Sequence, residues 1–170
     1  VRLLILFCGV TIGLNTAGDG LAKLQHKANR PGVYWHGNTS ENKVALTFDD
    51  GPAQPYTEQI LDVLKKYDVR ATFFLIGQNV ERYPAITKRI IAEGHTVGNH
   101  TYNHSDLVLS NKGHICYQIG KAENVIVKET KIKPSFFRPP YGYNNARVSR
   151  EAGKAGYIVV LWSVSGKNGI

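Results

Sequence analysis

Between residues 43 and 164 the apolar positions alternate between two spacings. Lys43 to Phe48 contains the short run Val44-Ala45-Leu46 and reads as a strand, after which Ile60, Leu61 and Leu64 fall on one face of a helix from about Thr57 to Tyr67. A second strand is expected at Ala71 to Ile76. The next helix opens at Pro84, whose fixed φ and missing N–H suit a first turn, turns Ile86, Ile90 and Ile91 inward, and stops at Gly94. His95 to Asn99 reads as a third strand. Ser110 stands where a helix cap is expected, ahead of a long helix carrying Ile115, Ile119, Ala122 and Ile126. Phe136-Phe137 begins a fourth strand, and a helix from about Asn145 to Ala155 leads to a fifth at Tyr157 to Val164. Strands separated by helices imply a parallel sheet, either a barrel or an open doubly wound sheet.

The residues ahead of this alternation differ in kind. Arg2 precedes an apolar run to Leu14 that is short for a bilayer span but suits an export signal. Residues 1–16 are therefore expected to be a signal peptide or membrane anchor, with a buried strand or helix as the plainer alternative. Residues 17–41 have no period and carry Gly, Pro, Asn and Ser, so they read as a linker or stalk, and the main folded domain is expected over 42–170.

A length of 170 residues with 42% hydrophobic and 20% charged positions argues against disorder and leaves room for one sizeable core. Cys8 in the leader and Cys116 in the long helix make no disulfide framework. A formal net charge of +8 suits work near anionic material such as a cell envelope or membrane surface. The basic residues are scattered through the helices with no aromatic-basic stretch between them, so nucleic acid is not expected as a partner.

The chemistry gathers at the carboxyl ends of the expected strands, where parallel α/β folds place their sites. Asp49 and Asp50 end the first strand, His100 and His104 follow the third, and Arg138 ends the fourth. Two adjacent buried carboxylates call for a compensating cation. Asp50, His100 and His104 make a two-histidine, one-carboxylate set that leaves coordination positions open for water and substrate. An Asp-Asp pair before Gly-Pro is also ordinary turn chemistry, and without the histidines that would be the reading. A glycine-rich phosphate loop is missing after the first strand, which disfavours nucleotide binding.

Three of these stretches, in this order, resemble the polysaccharide deacetylase family, carbohydrate esterase family four, also called the NodB homology domain. Thr47-Phe48-Asp49-Asp50-Gly51-Pro52 is similar to its first motif, His100-Thr101-Tyr102-Asn103-His104 to its second, and Arg138-Pro139-Pro140-Tyr141-Gly142 to its third. The resemblance implies an α/β fold, a distorted (β/α) barrel. It also implies zinc or another divalent ion such as cobalt on Asp50, His100 and His104, and Asp49 as general base oriented by Arg138. The backbone N–H of Tyr141 would help hold the oxyanion, with Tyr102 and Trp162 either lining a sugar groove or packing in the core.

The activity so implied is removal of N-acetyl groups from N-acetylglucosamine units of peptidoglycan or a chitin-like oligosaccharide. The alternatives are an O-acetyl esterase on a xylan-type polymer and a catalytically impaired carbohydrate-binding homologue. The expected protein is exported to the cell surface or beyond, monomeric, and associated with the membrane, if at all, through its first residues. The family's fourth motif would fall near Ser165, Asn168 and Gly169, which do not match it, and the Leu-x-His of the fifth motif is not reached by Ile170. The domain is accordingly expected to be incomplete at its C-terminus.

Overall fold

The computed structural model describes residues 3–6, 32–37 and 43–166. Its strands are β1 (Leu3–Leu6), β2 (Val33–Tyr34), β3 (Ala45–Gly51), β4 (Thr72–Leu75), β5 (Thr96–Asn99), β6 (Phe136–Phe137), β7 (Ile158–Val160) and β8 (Val164–Ser165). They form one sheet in the order β2-β7-β6-β5-β4-β3-β1-β8. Every pairing from β2 to β3 is parallel, while β1 runs antiparallel to both β3 and β8. The helices are α1 (Tyr56–Lys66), α2 (Gly77–Arg82), α3 (Pro84–Ala92), α4 (Lys112–Thr130) and α5 (Ala146–Lys154).

The sheet is curled rather than open. With neighbours about 4.8 Å apart, β3 and β7 would lie roughly 19 Å from each other in a flat sheet. Yet the side chain of Arg138, just after β6, donates to Thr47 and Asp49 on β3 and to the carbonyls of Val160 and Leu161 at the end of β7. One side chain reaches both only if the strands wrap around it, which selects the distorted barrel over the doubly wound sheet.

Alternation along the strands sorts the core into an inner and an outer layer. Phe74, Phe136, Ile158 and Val160 cluster inside the curl. Phe73 and Leu75 pack outward with Leu61, Leu64, Ile86 and Ile90 of α1 and α3, and Phe137 and Val159 pack with Ile115, Ile119 and Val148 of α4 and α5. Both faces of β4 are covered, so all four of its residues are buried, as parallel strands between layers require. A Cβ at position 98 would overlap the Phe74 ring, so Gly98 makes room for the inner layer.

Four expectations differ in detail from the structure. The cap of α4 is Asn111, whose side chain accepts from His114 N–H at 2.9 Å, while Ser110 Oγ donates to the Asp106 carbonyl. The short helix α2 lacks an apolar period long enough to announce it. The fifth strand breaks after Val160, because the Leu161 carbonyl turns to the Arg138 guanidinium instead of a neighbouring strand. Within the stretch read as linker, Val33–Tyr34 adds to the sheet beside β7. Of the expected leader only Leu3–Leu6 lies within the described residues, as backbone of β1, and the remainder lies outside them.

Candidate active site

The site begins with a defect in β3. Thr47 and Asp49 share one face of the strand and point inward, while Phe48 points outward into the helix-packed core. A regular strand would send Asp50 after Phe48. Instead the pairing with β4 slips between Phe48 and Gly51, and Asp50 adopts a left-handed φ of 67°, so its carboxylate also comes to the barrel rim. The Asn79 side chain of α2 holds the Asp50 carbonyl at 2.9 Å in this turn.

His100 and His104 come from the loop after β5. Asp50 Oδ1 lies 3.3 Å from His100 Nε2 and 3.1 Å from His104 Nε2. His100 Nδ1 is 2.7 Å from the Arg138 carbonyl, which only accepts, so that nitrogen carries a proton and Nε2 is the atom turned toward Asp50, with its lone pair available to a cation. Asp50 Oδ1 is buried and accepts no hydrogen bond among the described residues. An orphaned carboxylate oxygen facing the His100 lone pair is a repulsive arrangement unless a cation sits between them. The donor types suit zinc or a similar divalent ion, and the three ligand atoms lie within 4.8 Å of one another. Burial pushes the Asp50 pKa up, but imidazole N–H groups turned to it in the absence of a cation outweigh burial and hold the carboxyl well below the usual range.

Arg138 joins the other half of the site. Its guanidinium is fully buried and stacks on Phe74 at 3.9 Å. Nη1 donates to Asp49 Oδ1 at 2.6 Å and Thr47 Oγ1 at 3.0 Å, while Nε and Nη2 donate to the Val160 and Leu161 carbonyls at 3.0 Å each. Burial lowers the pKa of Arg138 and Asp49 opposes that shift, yet a guanidinium stays protonated throughout. Arg138 holds Asp49 through Oδ1, and no hydrogen bond to Oδ2 is seen among the described residues. One residue thus orients Asp49 by its side chain and His100 by its backbone.

The third stretch forms a tight turn beside the ligands. Tyr141 has a left-handed φ of 62°, its ring meets His104 edge-on at 4.7 Å, and its N–H finds no acceptor among the described residues. Trp162 lies over Gly142 and 5.6 Å from the Arg138 guanidinium, so it borders the same rim. Tyr102 goes elsewhere. Its ring packs against the core beside α2, its hydroxyl donates to Glu81 at 2.8 Å, and Lys121 sits 3.7 Å above it.

The structure also brings in residues that no motif announced. Besides Asn79, these are Asn99, Gln118, Tyr157 and Glu123, which tie the histidine loop to α4. A signal for Gln118 existed, since it falls on the same stripe of α4 as Ile115, Ile119 and Ala122. A polar residue on an apolar stripe needs a buried partner.

A family model described as polysaccharide deacetylase matches residues 36–160. A peptidoglycan-N-acetylglucosamine deacetylase of Bacillus cereus is 44% identical over 128 residues, covering 75% of this chain and 46% of that protein. The peptidoglycan-N-acetylmuramic acid deacetylase PdaA of Bacillus subtilis is 38% identical over 150 residues, covering 88% of this chain and 56% of the relative. The crystal structure of the Bc1960 peptidoglycan N-acetylglucosamine deacetylase superposes with a TM-score of 0.68 at 39% identity, over 81% of this chain and 59% of the other. The chain thus spans about half the length of the curated relatives it matches. With the family model covering most of the residues and the curled parallel barrel shared with a solved relative, the chain belongs to the polysaccharide deacetylase family.

Proposed function

We propose that this chain carries the catalytic site of a divalent-metal hydrolase that removes N-acetyl groups from a wall polysaccharide, with peptidoglycan as the first substrate to test. The observation that carries this reading is the orphaned Asp50 Oδ1 set between two imidazole Nε2 atoms, beside the Asp49–Arg138 pair.

In this reading Asp50, His100 and His104 hold the ion, with zinc the first choice and cobalt a working substitute. Bound there, the cation would supply Lewis-acid polarisation of the acetyl carbonyl and acidify a coordinated water. Asp49 takes the proton of the attacking water as general base. Arg138 keeps that carboxylate aimed by a charge-assisted bond and excludes water from its far side. The Tyr141 N–H, held in a left-handed turn, is the donor for the oxygen that gains charge as the acetyl carbon becomes tetrahedral. Trp162 borders the sugar, while Tyr102 serves the fold. The proton that Asp49 takes must reach the departing nitrogen for the C–N bond to break.

A wall substrate places the work outside the membrane, and Leu3–Leu6, paired with β3 and β8, is read as part of the sheet. Among the described residues no helix is long and apolar enough to cross a membrane. The test is acetate release by the metal-loaded chain from peptidoglycan, chitooligosaccharide and acetylxylan, repeated after chelation and with Asp49→Asn. Metal-dependent release from the amide substrates, lost in Asp49→Asn, supports the reading. Release from acetylxylan alone would make it an esterase, and failure of the chain to take up zinc or cobalt would remove the metal centre.

A further inference from the structure

The loop that bears both histidine ligands has an unusual backbone. Thr101 and His104 both have positive φ, 68° and 62°, although each carries a Cβ and Thr101 is β-branched. Such a shape persists only when its surroundings impose it. Buried side-chain amides do so here. Gln118 of α4, only 1% exposed, accepts through Oε1 from the N–H groups of Tyr102 at 3.0 Å and Asn103 at 3.1 Å. Asn99 accepts through Oδ1 from Thr101 N–H at 2.9 Å, and Thr101 Oγ1 accepts from His104 N–H at 3.0 Å. On the other side the Thr101 and Tyr102 carbonyls accept from Gly77 and Gln78 N–H at 3.0 and 2.8 Å.

The direction of the Asn99 amide follows from its neighbours. Glu123 Oε2 accepts from the Tyr157 hydroxyl at 2.7 Å, so the Tyr157 oxygen is left to accept from Asn99 Nδ2 at 3.1 Å. The same Nδ2 donates to the Ile119 carbonyl at 2.9 Å. With both neighbours accepting, only Oδ1 can face Thr101. Tyr157, the Ile119 carbonyl and Thr101 N–H together hold the Asn99 amide in one orientation.

We infer that Gln118, with Asn99 behind it, is a positioning residue for the metal ligands. The His100–His104 loop is folded on an amide template before any cation arrives, so metal binding energy is not spent on ordering it. The inference rests on the metal reading above. Its consequence is a loss of metal affinity, of about tenfold or more, when the template is cut at a residue that touches neither ligand side chain.

The test uses cobalt(II) as the probe, following both affinity and the visible d–d spectrum, alongside melting of the metal-free protein. Gln118→Met keeps the length and removes the acceptor. It is expected to bind cobalt about tenfold or more weakly, with a changed spectrum. Gln118→Glu presents an acceptor oxygen in either protonation state and is expected to restore wild-type affinity and spectrum. A Gln118→Met protein that melts lower when metal-free but binds cobalt as the wild type does would overturn the inference, since the residue would then be structural only. Should Gln118→Met not fold, amide exchange in the metal-free wild type decides the matter. The Tyr102 and Asn103 amides are expected to be protected, and exchange at the rate of open loops would overturn the template. If the wild type takes up no cobalt, the metal reading fails and this inference with it, whereas normal uptake by both proteins fails the inference alone.

Discussion

Arg138→Lys keeps a positive charge in the barrel and removes the fork that spans it. In the structure the guanidinium reaches Thr47 and Asp49 on one side and the carbonyls of Val160 and Leu161 on the other. A single ammonium nitrogen cannot reach across that gap. If it stays with Asp49, the two carbonyls lose their donor, and both residues are only 1% exposed. At about 1–3 kcal/mol for each buried group left without a partner, the expected loss is roughly 2–6 kcal/mol. For a chain of this length that corresponds to a fall in Tm of about 4–24 °C, read by thermal melting in chelator. Metal uptake should respond differently. The carbonyl of residue 138 that accepts from His100 Nδ1 belongs to the backbone and survives any substitution there. Cobalt affinity should thus stay near wild type while acetate release drops by about 10²-fold or more, because on the proposed mechanism Asp49 loses its aim as base. A variant within about 1 kcal/mol of wild-type stability would show that the barrel does not depend on the fork. Parallel loss of cobalt and turnover would show that the two duties of Arg138 are not separable.

Three further outcomes follow from the same structure. The Asp50 pKa in the metal-free protein lies below its unfolded value, so its ionised form contributes stability that is complete above the ordinary carboxylate range and is lost only as pH falls through the depressed value. The Asp50 carboxyl of the metal-free protein should therefore stay ionised down to pH 4, and a protonated-carboxyl infrared band that appears above pH 4 in the wild type but not in Asp50→Asn would refute this. Tyr157→Phe removes the hydroxyl between Asn99 and Glu123 and should cost about 1–3 kcal/mol in urea unfolding, with no measurable cost contradicting the network. Asn111→Ala should cost about 1 kcal/mol, whereas Ser110→Ala should cost less than about 0.5 kcal/mol, and the reverse order would return the α4 cap to Ser110.

What could be read from the chain, and what could not, follows the range of the forces involved. Strand–helix alternation is written in local apolar spacing, so β3, α1, β4, α3, β5, α4, β6 and α5 fall close to where their residues place them. The proposed ligand set could be named from the chain because Asp50, His100 and His104 are chemically distinctive and stand at the carboxyl ends of strands. Gln118, Asn99 and Asn79 were not, because an amide is informative only once its partner is known, and those partners are backbone groups on other elements. The break after Val160 was hidden for the same reason, since it is imposed by a guanidinium 23 residues upstream of Leu161. Tyr102 shows the limit from the other direction. An aromatic between two ligands invites a substrate role, but the neighbouring left-handed Thr101 redirects the backbone and sends the ring to the core.

That redirection is general in this site. Asp50, Thr101, His104 and Tyr141 all take positive φ, and none is glycine. At about 1–3 kcal/mol each, such positions are too costly to arise without compensation. Each has a compensating hold: Asn79 on the Asp50 carbonyl, Asn99 on Thr101 N–H, Thr101 Oγ1 on His104 N–H, and the Pro139–Tyr143 turn around Tyr141. Regular strand and helix geometry cannot converge two adjacent carboxylates, two imidazoles and a free N–H on one point, because their side chains alternate away from each other. The strain is therefore the means by which a parallel barrel turns residues that are neighbours in sequence toward a common centre, and the polar side chains behind the site keep it there.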